Sequence, residues 1–326
     1  MLPKSLHERS APIAGGSGPP PEAPAAVPAD FGAEVAAYDR AATVGVWEGP
    51  RYRMTYRVLG QGPPLVLVPG IAATYRVFAL LLNRLAEHFQ TVIYSYPGDY
   101  PDDGARLDRI THSYLVADLF GLLDHLGLGP VFLFGPSFGS TITLRALDRA
   151  PERCPAAVLQ GGFARRRFRL GERLALLFGR RFAGRTLSRV PLHDAVLVRR
   201  QRIEFPAALA DRWDHFVREN GLTPMAALAH RLDLVSQLDL RPLLPAIRAE
   251  VLLLQGDQDR LVPRPHYDEL LAGLPHARGM ILPGIGHLPH YTHPEELARW
   301  IADFLLLRTL STPAEGKKKP GLGAGL

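Results

Sequence analysis

The chain has 326 residues, 47% of them hydrophobic and 21% charged, with a formal net charge of +6. That length can bury a sizeable core in one or two domains, and the composition excludes a fibrous or largely disordered chain. The single cysteine, Cys154, excludes an intramolecular disulfide framework and a multi-cysteine zinc or iron–sulfur site.

The N-terminus, Met1-Leu2-Pro3-Lys4, runs into polar and Pro-rich sequence without the apolar stretch of a signal peptide, which points to a cytoplasmic protein. Residues 11–30 are mostly Ala, Gly and Pro, so segment 1–42 is expected to be disordered or extended. Residues 52–59 suit an antiparallel strand at a sheet edge. Continuously apolar runs then predict strands covered on both faces: Leu65-Val66-Leu67-Val68, Thr91-Val92-Ile93-Tyr94, Val131-Phe132-Leu133-Phe134, Ala157-Val158-Leu159-Gln160, Val251-Leu252-Leu253-Leu254 and Gly279-Met280-Ile281-Leu282. Between them, Leu115, Leu119, Leu122, Leu123 and Leu126 recur at helical spacing, as do Leu297, Trp300, Ile301, Phe304 and Leu305 after Pro294. This alternation predicts an α/β fold with a doubly wound, mostly parallel sheet. Two uncharged stretches, 58–75 and 125–144, hold too many Gly and Pro residues for membrane spans.

Residues 162–245 break the alternation and read as an inserted helical cap, leaving 43–161 and 246–310 as the core and 311–326 as a flexible tail. The insertion carries 16 Arg against 8 Asp and Glu, so the basicity of the chain resides there. Arg165, Arg166, Arg167, Arg169, Arg180, Arg181, Arg185 and Arg189 suit a solvated helix face or a surface that attracts an anionic partner. Leu174, Leu176, Leu177, Phe178, Phe182, Trp213 and Phe216 suit either the packing of the cap itself or an apolar substrate pocket.

Gly135-Pro136-Ser137-Phe138-Gly139 joins a predicted strand to a predicted helix. A serine exposed on such a sharp turn needs glycine two residues to either side, and the following helix N-terminus offers the Phe138 N–H to a developing oxyanion. A neutral serine needs a base, and His287 in a Gly-rich loop after the last strand is the best placed of 12 histidines. The base needs a carboxylate; Asp257 and Asp259, both just after strand 251–254, are equally placed by spacing. A second oxyanion donor is expected from Pro69-Gly70-Ile71-Ala72, with Ile71 N–H the choice and Ala72 next.

On GPSFG, GDQDRLVP, GIGHLPHYTHPEEL, PERCPAAVLQG and LVLVPG, the chain resembles the α/β-hydrolase superfamily, the esterase-like branch with a helical cap, over about residues 45–310. The resemblance implies that the acidic member is Asp259 and the catalytic histidine His287. Pro69, Tyr96-Pro97-Gly98, Pro136 and Ser140 depart from the commoner residues of the family, and none of them removes a member of the triad. The implied activity is that of a serine hydrolase acting on a carboxylic ester or related acyl bond. The same triad serves C–C bond hydrolases, lactonases, thioesterases and acyltransferases, and a non-catalytic ligand-binding member of the fold is the rival of another class. No cofactor is expected. His287, His290 and His293 are interrupted by Pro289, so no metal is expected. The expected partner is a small, apolar acyl substrate, with an anionic or carrier-linked substrate at the Arg-rich cap; no nucleic-acid motif is present.

Overall fold

The computed structural model describes residues 30–72, 74–168, 181–190, 202–203 and 205–309. Arg169, Arg180, Leu174, Leu176, Leu177, Phe178 and the tail 311–326 lie outside the described residues.

Eight strands form one sheet: β1 (Thr43–Glu48), β2 (Arg53–Leu59), β3 (Pro64–Leu67), β4 (Gln90–Tyr94), β5 (Phe132–Pro136), β6 (Ala156–Gln160), β7 (Glu250–Gly256) and β8 (Ala277–Leu282). Their spatial order is β1-β2-β4-β3-β5-β6-β7-β8. The β1–β2 and β2–β4 pairs are antiparallel and the rest parallel. All six apolar runs form strands. Their burial follows the two-residue period of the pleat. Val66, Val92, Leu133, Leu159 and Leu253 share one core with α3 (His112–His125) and α4 (Phe138–Arg149). Leu65, Ile93, Phe134, Val158 and Leu252 enter the opposite core with α1 (Phe31–Ala41) and α2 (Ala79–Leu85). Each fully buried aliphatic side chain contributes about 1.5–3 kcal/mol of transfer free energy.

Two expectations differ from what is found. β8 is the sheet edge, and half of its residues, Met280 among them, are exposed rather than covered on both faces. Residues 31–41, within the segment expected to be disordered or extended, form α1. Asp30 Oδ1 caps it by accepting from Gly32 N and Ala33 N, while Phe31, Val35 and Tyr38 are buried at helical spacing.

Between β6 and β7 the described residues hold no strand; they hold two isolated bridges, three short 3-10 turns and two longer helices, α5 (Ala210–Gly221) and α6 (Met225–Gln237). α5 buries Arg212, His215, Phe216 and Glu219, a single face that mixes apolar and charged side chains. After β7 come α7 (Arg264–Gly273), α8 (Pro289–Thr292) and α9 (Pro294–Thr309). No helix among the described residues is long and apolar enough to cross a membrane.

The chain runs from β3 outward to β4, then returns to lay β5 on the other side of β3. That reversal opens a crevice at the carboxyl ends of β3 and β5, the place where doubly wound sheets bind ligands.

Candidate active site

Ser137 stands at this crevice, directly after β5, with φ 50° and ψ −119°. It is the only non-glycine with positive φ among the described residues. The conformation costs about 1–2 kcal/mol and persists because its surroundings hold it. Ser137 N donates to Gln160 O at 2.8 Å, and Ser140 Oγ donates to Ser137 O at 2.6 Å. The flanking glycines are sterically required. A Cβ at Gly139 would lie 2.0 Å from Val68 O, and one at Gly135 would lie 2.4 Å from Thr143 Oγ1.

His287 and Asp259 meet in a buried pair, Nδ1 to Oδ2, at 2.7 Å. An ionised carboxylate only accepts, so the bond puts the proton on Nδ1 and makes Nε2 the basic nitrogen. The other carboxylate oxygen of Asp259 accepts from Leu261 N at 2.9 Å and Val262 N at 2.8 Å, which fixes its plane. Asp257 is exposed and accepts from Gly284 N at 2.8 Å, so it shapes the histidine loop and does not reach the imidazole. Spacing leaves the two aspartates equal; the backbone path separates them.

The strand-end pair Gln160-Gly161 joins the two halves of the site. Gln160 O accepts from Ser137 N, and its side-chain amide donates to His287 O at 3.3 Å. Gly161 has φ 54°, and a Cβ there would lie 3.0 Å from the His287 imidazole and 3.1 Å from Asp259 Oδ2. Glycine suits both the left-handed backbone and the close approach, and a side chain there would press on the His287–Asp259 pair. Sequence reasoning includes this pair in PERCPAAVLQG without giving it a role.

Phe138 is buried as the first residue of α4, which leaves its N–H among the unpaired donors of a helix N-terminus. Thr141 Oγ1 donates to Phe138 O at 2.8 Å, and the Tyr96 ring meets the Phe138 ring edge-on at 5.6 Å. Ile71 is half-buried on the turn after β3. Tyr96 OH donates to Pro69 O at 2.8 Å, and Arg231 Nη1 donates to Ile71 O at 2.7 Å. Sequence reasoning notes Tyr96 only as a departure from the family pattern and misses Arg231, because nothing in the sequence separates a buried arginine on α6 from the many other arginines of the segment.

The remaining candidates serve packing. Burial pushes the Cys154 thiol up to about 12, so it stays protonated. His287, His290 and His293 diverge: His290 packs on the Phe78 ring at 4.6 Å, and His293 Nδ1 meets Thr292 Oγ1 at 2.8 Å. Trp213 and Phe216 pack against Phe205, with ring centroids 5.2 and 5.9 Å away.

A mostly parallel, doubly wound sheet with a strained serine between β5 and α4, and a histidine loop after β8, defines the α/β-hydrolase class. A sequence model described as alpha/beta hydrolase fold matches residues 63–294, and the chain belongs to that family. It is 29% identical over 262 residues to the pimeloyl-[acyl-carrier protein] methyl ester esterase of Xanthomonas oryzae pv. oryzae, covering 76% of this chain and 97% of that one. It is also 29% identical over 252 residues to the polyketide synthase ThaQ of Burkholderia thailandensis, where the match covers 76% of this chain but spans only 12% of that protein. The enol-lactonase of Burkholderia xenovorans LB400 superposes with a TM-score of 0.70 at 19% identity, over 80% of this chain and all of that one (100%), a likeness of fold.

Proposed function

We propose that the chain is a serine hydrolase that cleaves a carboxylic ester or a related acyl bond. The observation that carries this reading is the buried His287–Asp259 bond of 2.7 Å, tied through Gln160 to the strained Ser137. Ser137 Oγ attacks the acyl carbonyl as its proton passes to His287 Nε2. The carbonyl oxygen becomes an oxyanion and accepts from the Ile71 and Phe138 N–H groups. His287 returns the proton to the departing alkoxide, leaving an acyl-enzyme. Water then gives a proton to His287 and attacks the acyl carbon; Ser137 leaves with that proton, and the acid is released. Asp259 holds the imidazole in the productive tautomer and stabilises its charged form.

In this reading residues 162–245 form a cap over the crevice. Its basic face supports an acidic, carrier-linked acyl substrate. Arg165, Arg167 and Arg241 line an open groove with His266 and Glu269. Asp239 lies 3.6 Å from Arg165 and 2.6 Å from Arg241, and Glu269 lies 3.8 Å from Arg241, so two carboxylates face three guanidinium groups. The relative from Xanthomonas oryzae pv. oryzae is named for a carrier-protein-linked ester.

Intact-mass labelling with a fluorophosphonate tests the nucleophile. One adduct on the wild type and none on Ser137→Ala is expected; no adduct on either protein would overturn the reading. A panel of free and carrier-linked esters then follows. Carrier linkage should raise kcat/KM at low salt and lose that gain as the Debye length shortens to about 3 Å near 1 M salt.

A further inference from the structure

The turn that carries the Ile71 N–H packs only in part, through Ile71 and Ala72, and hydrogen bonds supply the rest of its support. A Cβ added at Gly70 would meet nothing within 4 Å. A cleft of about 60 Å³ lies behind the turn, lined by Pro69, Gly70, Thr74, Tyr96 and Arg231. Three tethers cross this region. Tyr96 OH donates to Pro69 O at 2.8 Å, Arg231 Nη1 donates to Ile71 O at 2.7 Å, and Thr74 Oγ1 donates to Glu219 Oε2 at 2.6 Å.

Two of the three reach in from the segment between β6 and β7, Glu219 from α5 and Arg231 from α6. Both side chains are almost wholly buried, each 2% exposed. Arg231 is itself fixed. Its Nη2 donates to Asp99 Oδ1, and its guanidinium stands 5.1 Å over the Tyr96 ring. Asp99 Oδ2 in turn accepts from Tyr96 N at 2.7 Å. The other oxygen of Glu219 faces Arg218 Nε at 3.7 Å and His215 Nε2 at 3.8 Å. Burying a charge is expensive unless it is paired and bonded; Arg231 pairs with Asp99 and Glu219 with Arg218, and a further polar atom of each reaches Ile71 and Thr74 respectively.

These tethers bear on the oxyanion donor. A trans peptide points its C=O and N–H in opposite directions. Holding Pro69 O and Ile71 O restrains the peptide planes on both sides of the Gly70–Ile71 peptide, and so narrows the directions open to the Ile71 N–H. We propose that Arg231 and Glu219 are positioning residues through which a seated cap sets the oxyanion-binding turn, so that cap docking and transition-state stabilisation are coupled. This inference rests on the serine-hydrolase reading.

The test compares the wild type with Arg231→Met, Arg231→Lys and Tyr96→Phe on one soluble ester, alongside inhibition by an alkyl trifluoromethyl ketone, which mimics the tetrahedral oxyanion. Arg231→Met should lower kcat about 10²-fold, the scale of losing one oxyanion donor, with KM within about twofold. Affinity for the ketone should fall in parallel. Arg231→Lys, which keeps one donor for Ile71 O, should recover part of both. Tyr96→Phe keeps the ring and the fold and should lower kcat about fivefold, the scale of one neutral hydrogen bond. If Arg231→Met does not fold, Tyr96→Phe together with Thr74→Val carries the test by the same two readouts. A change confined to KM, or unchanged ketone affinity in folded variants, would overturn the proposal. Failure of the wild type to label with fluorophosphonate would instead strike the underlying reading.

Discussion

Asp259 gives one oxygen to His287 at 2.7 Å and the other to two backbone N–H groups, whereas Asp257 is exposed and holds only Gly284 N. In the proposed mechanism, Asp259→Asn can present an amide to Nδ1 and so favour the wrong tautomer. Its kcat on a soluble ester should fall about 10⁴-fold with the fold intact. Asp257→Asn keeps an acceptor for Gly284 N and should stay within about twofold of wild type. Comparable losses in both variants, measured by steady-state kinetics, would show that Asp259 has no special place. The sequence alone does not separate these residues, because both lie on one short turn after the same strand. The resemblance to α/β hydrolases implies Asp259. The hydrogen bonds give the physical reason, since Asp257 N pairs with Leu282 O and so starts the turn that leads Asp259 inward.

At the scale of elements, legibility follows burial. The strands from β3 to β7 are covered on both faces, so their apolar runs stand out in the sequence. β1 is not legible as a strand: it is an edge whose Val44 and Val46 point outward, 54% and 48% exposed. α1 is hidden for another reason. Asp30 is a good cap and Phe31, Val35 and Tyr38 recur at helical spacing, but a long Ala- and Pro-rich run precedes it. Its docking is nevertheless extensive. The Phe31 ring meets His215 of α5 at 4.6 Å and Tyr291 of α8 at 6.0 Å, and Glu34 pairs with Arg84 of α2 at 2.6 Å. Phe31→Ala should therefore lower the free energy of unfolding by about 3 kcal/mol in urea titrations. An unchanged midpoint would mean that α1 does not dock in solution.

At the scale of the whole molecule, the contacts least visible in the sequence join residues that are far apart along it. Arg231 and Ile71 are 160 residues apart, and Glu219 and Thr74 are 145 apart. No periodicity encodes such pairs. The same burial sets a global response to pH. Burial lowers His112 and His290 to about 3, assisted at His112 by Arg145 and at His290 by His287. His230, His266 and His293 shift in the same direction for the same leading reason. A histidine whose folded pKa lies below its unfolded value near 6.5 binds fewer protons in the native state. Stability is therefore full above about pH 6.5 and is lost as pH falls toward the folded value. His112 and His290 should each contribute a slope of about 1 kcal/mol per pH unit below that point. Burial pushes the Asp99 and Asp118 carboxyls up, and these titrate in the opposite sense as their own range is approached. The histidine effect is thus cleanest between about pH 6.5 and 5. Urea unfolding across that window should show falling stability, and His112→Asn, which keeps a polar partner for Thr141 but does not titrate, should flatten the slope. A slope unchanged by that substitution would show that His112 is not held neutral by its surroundings.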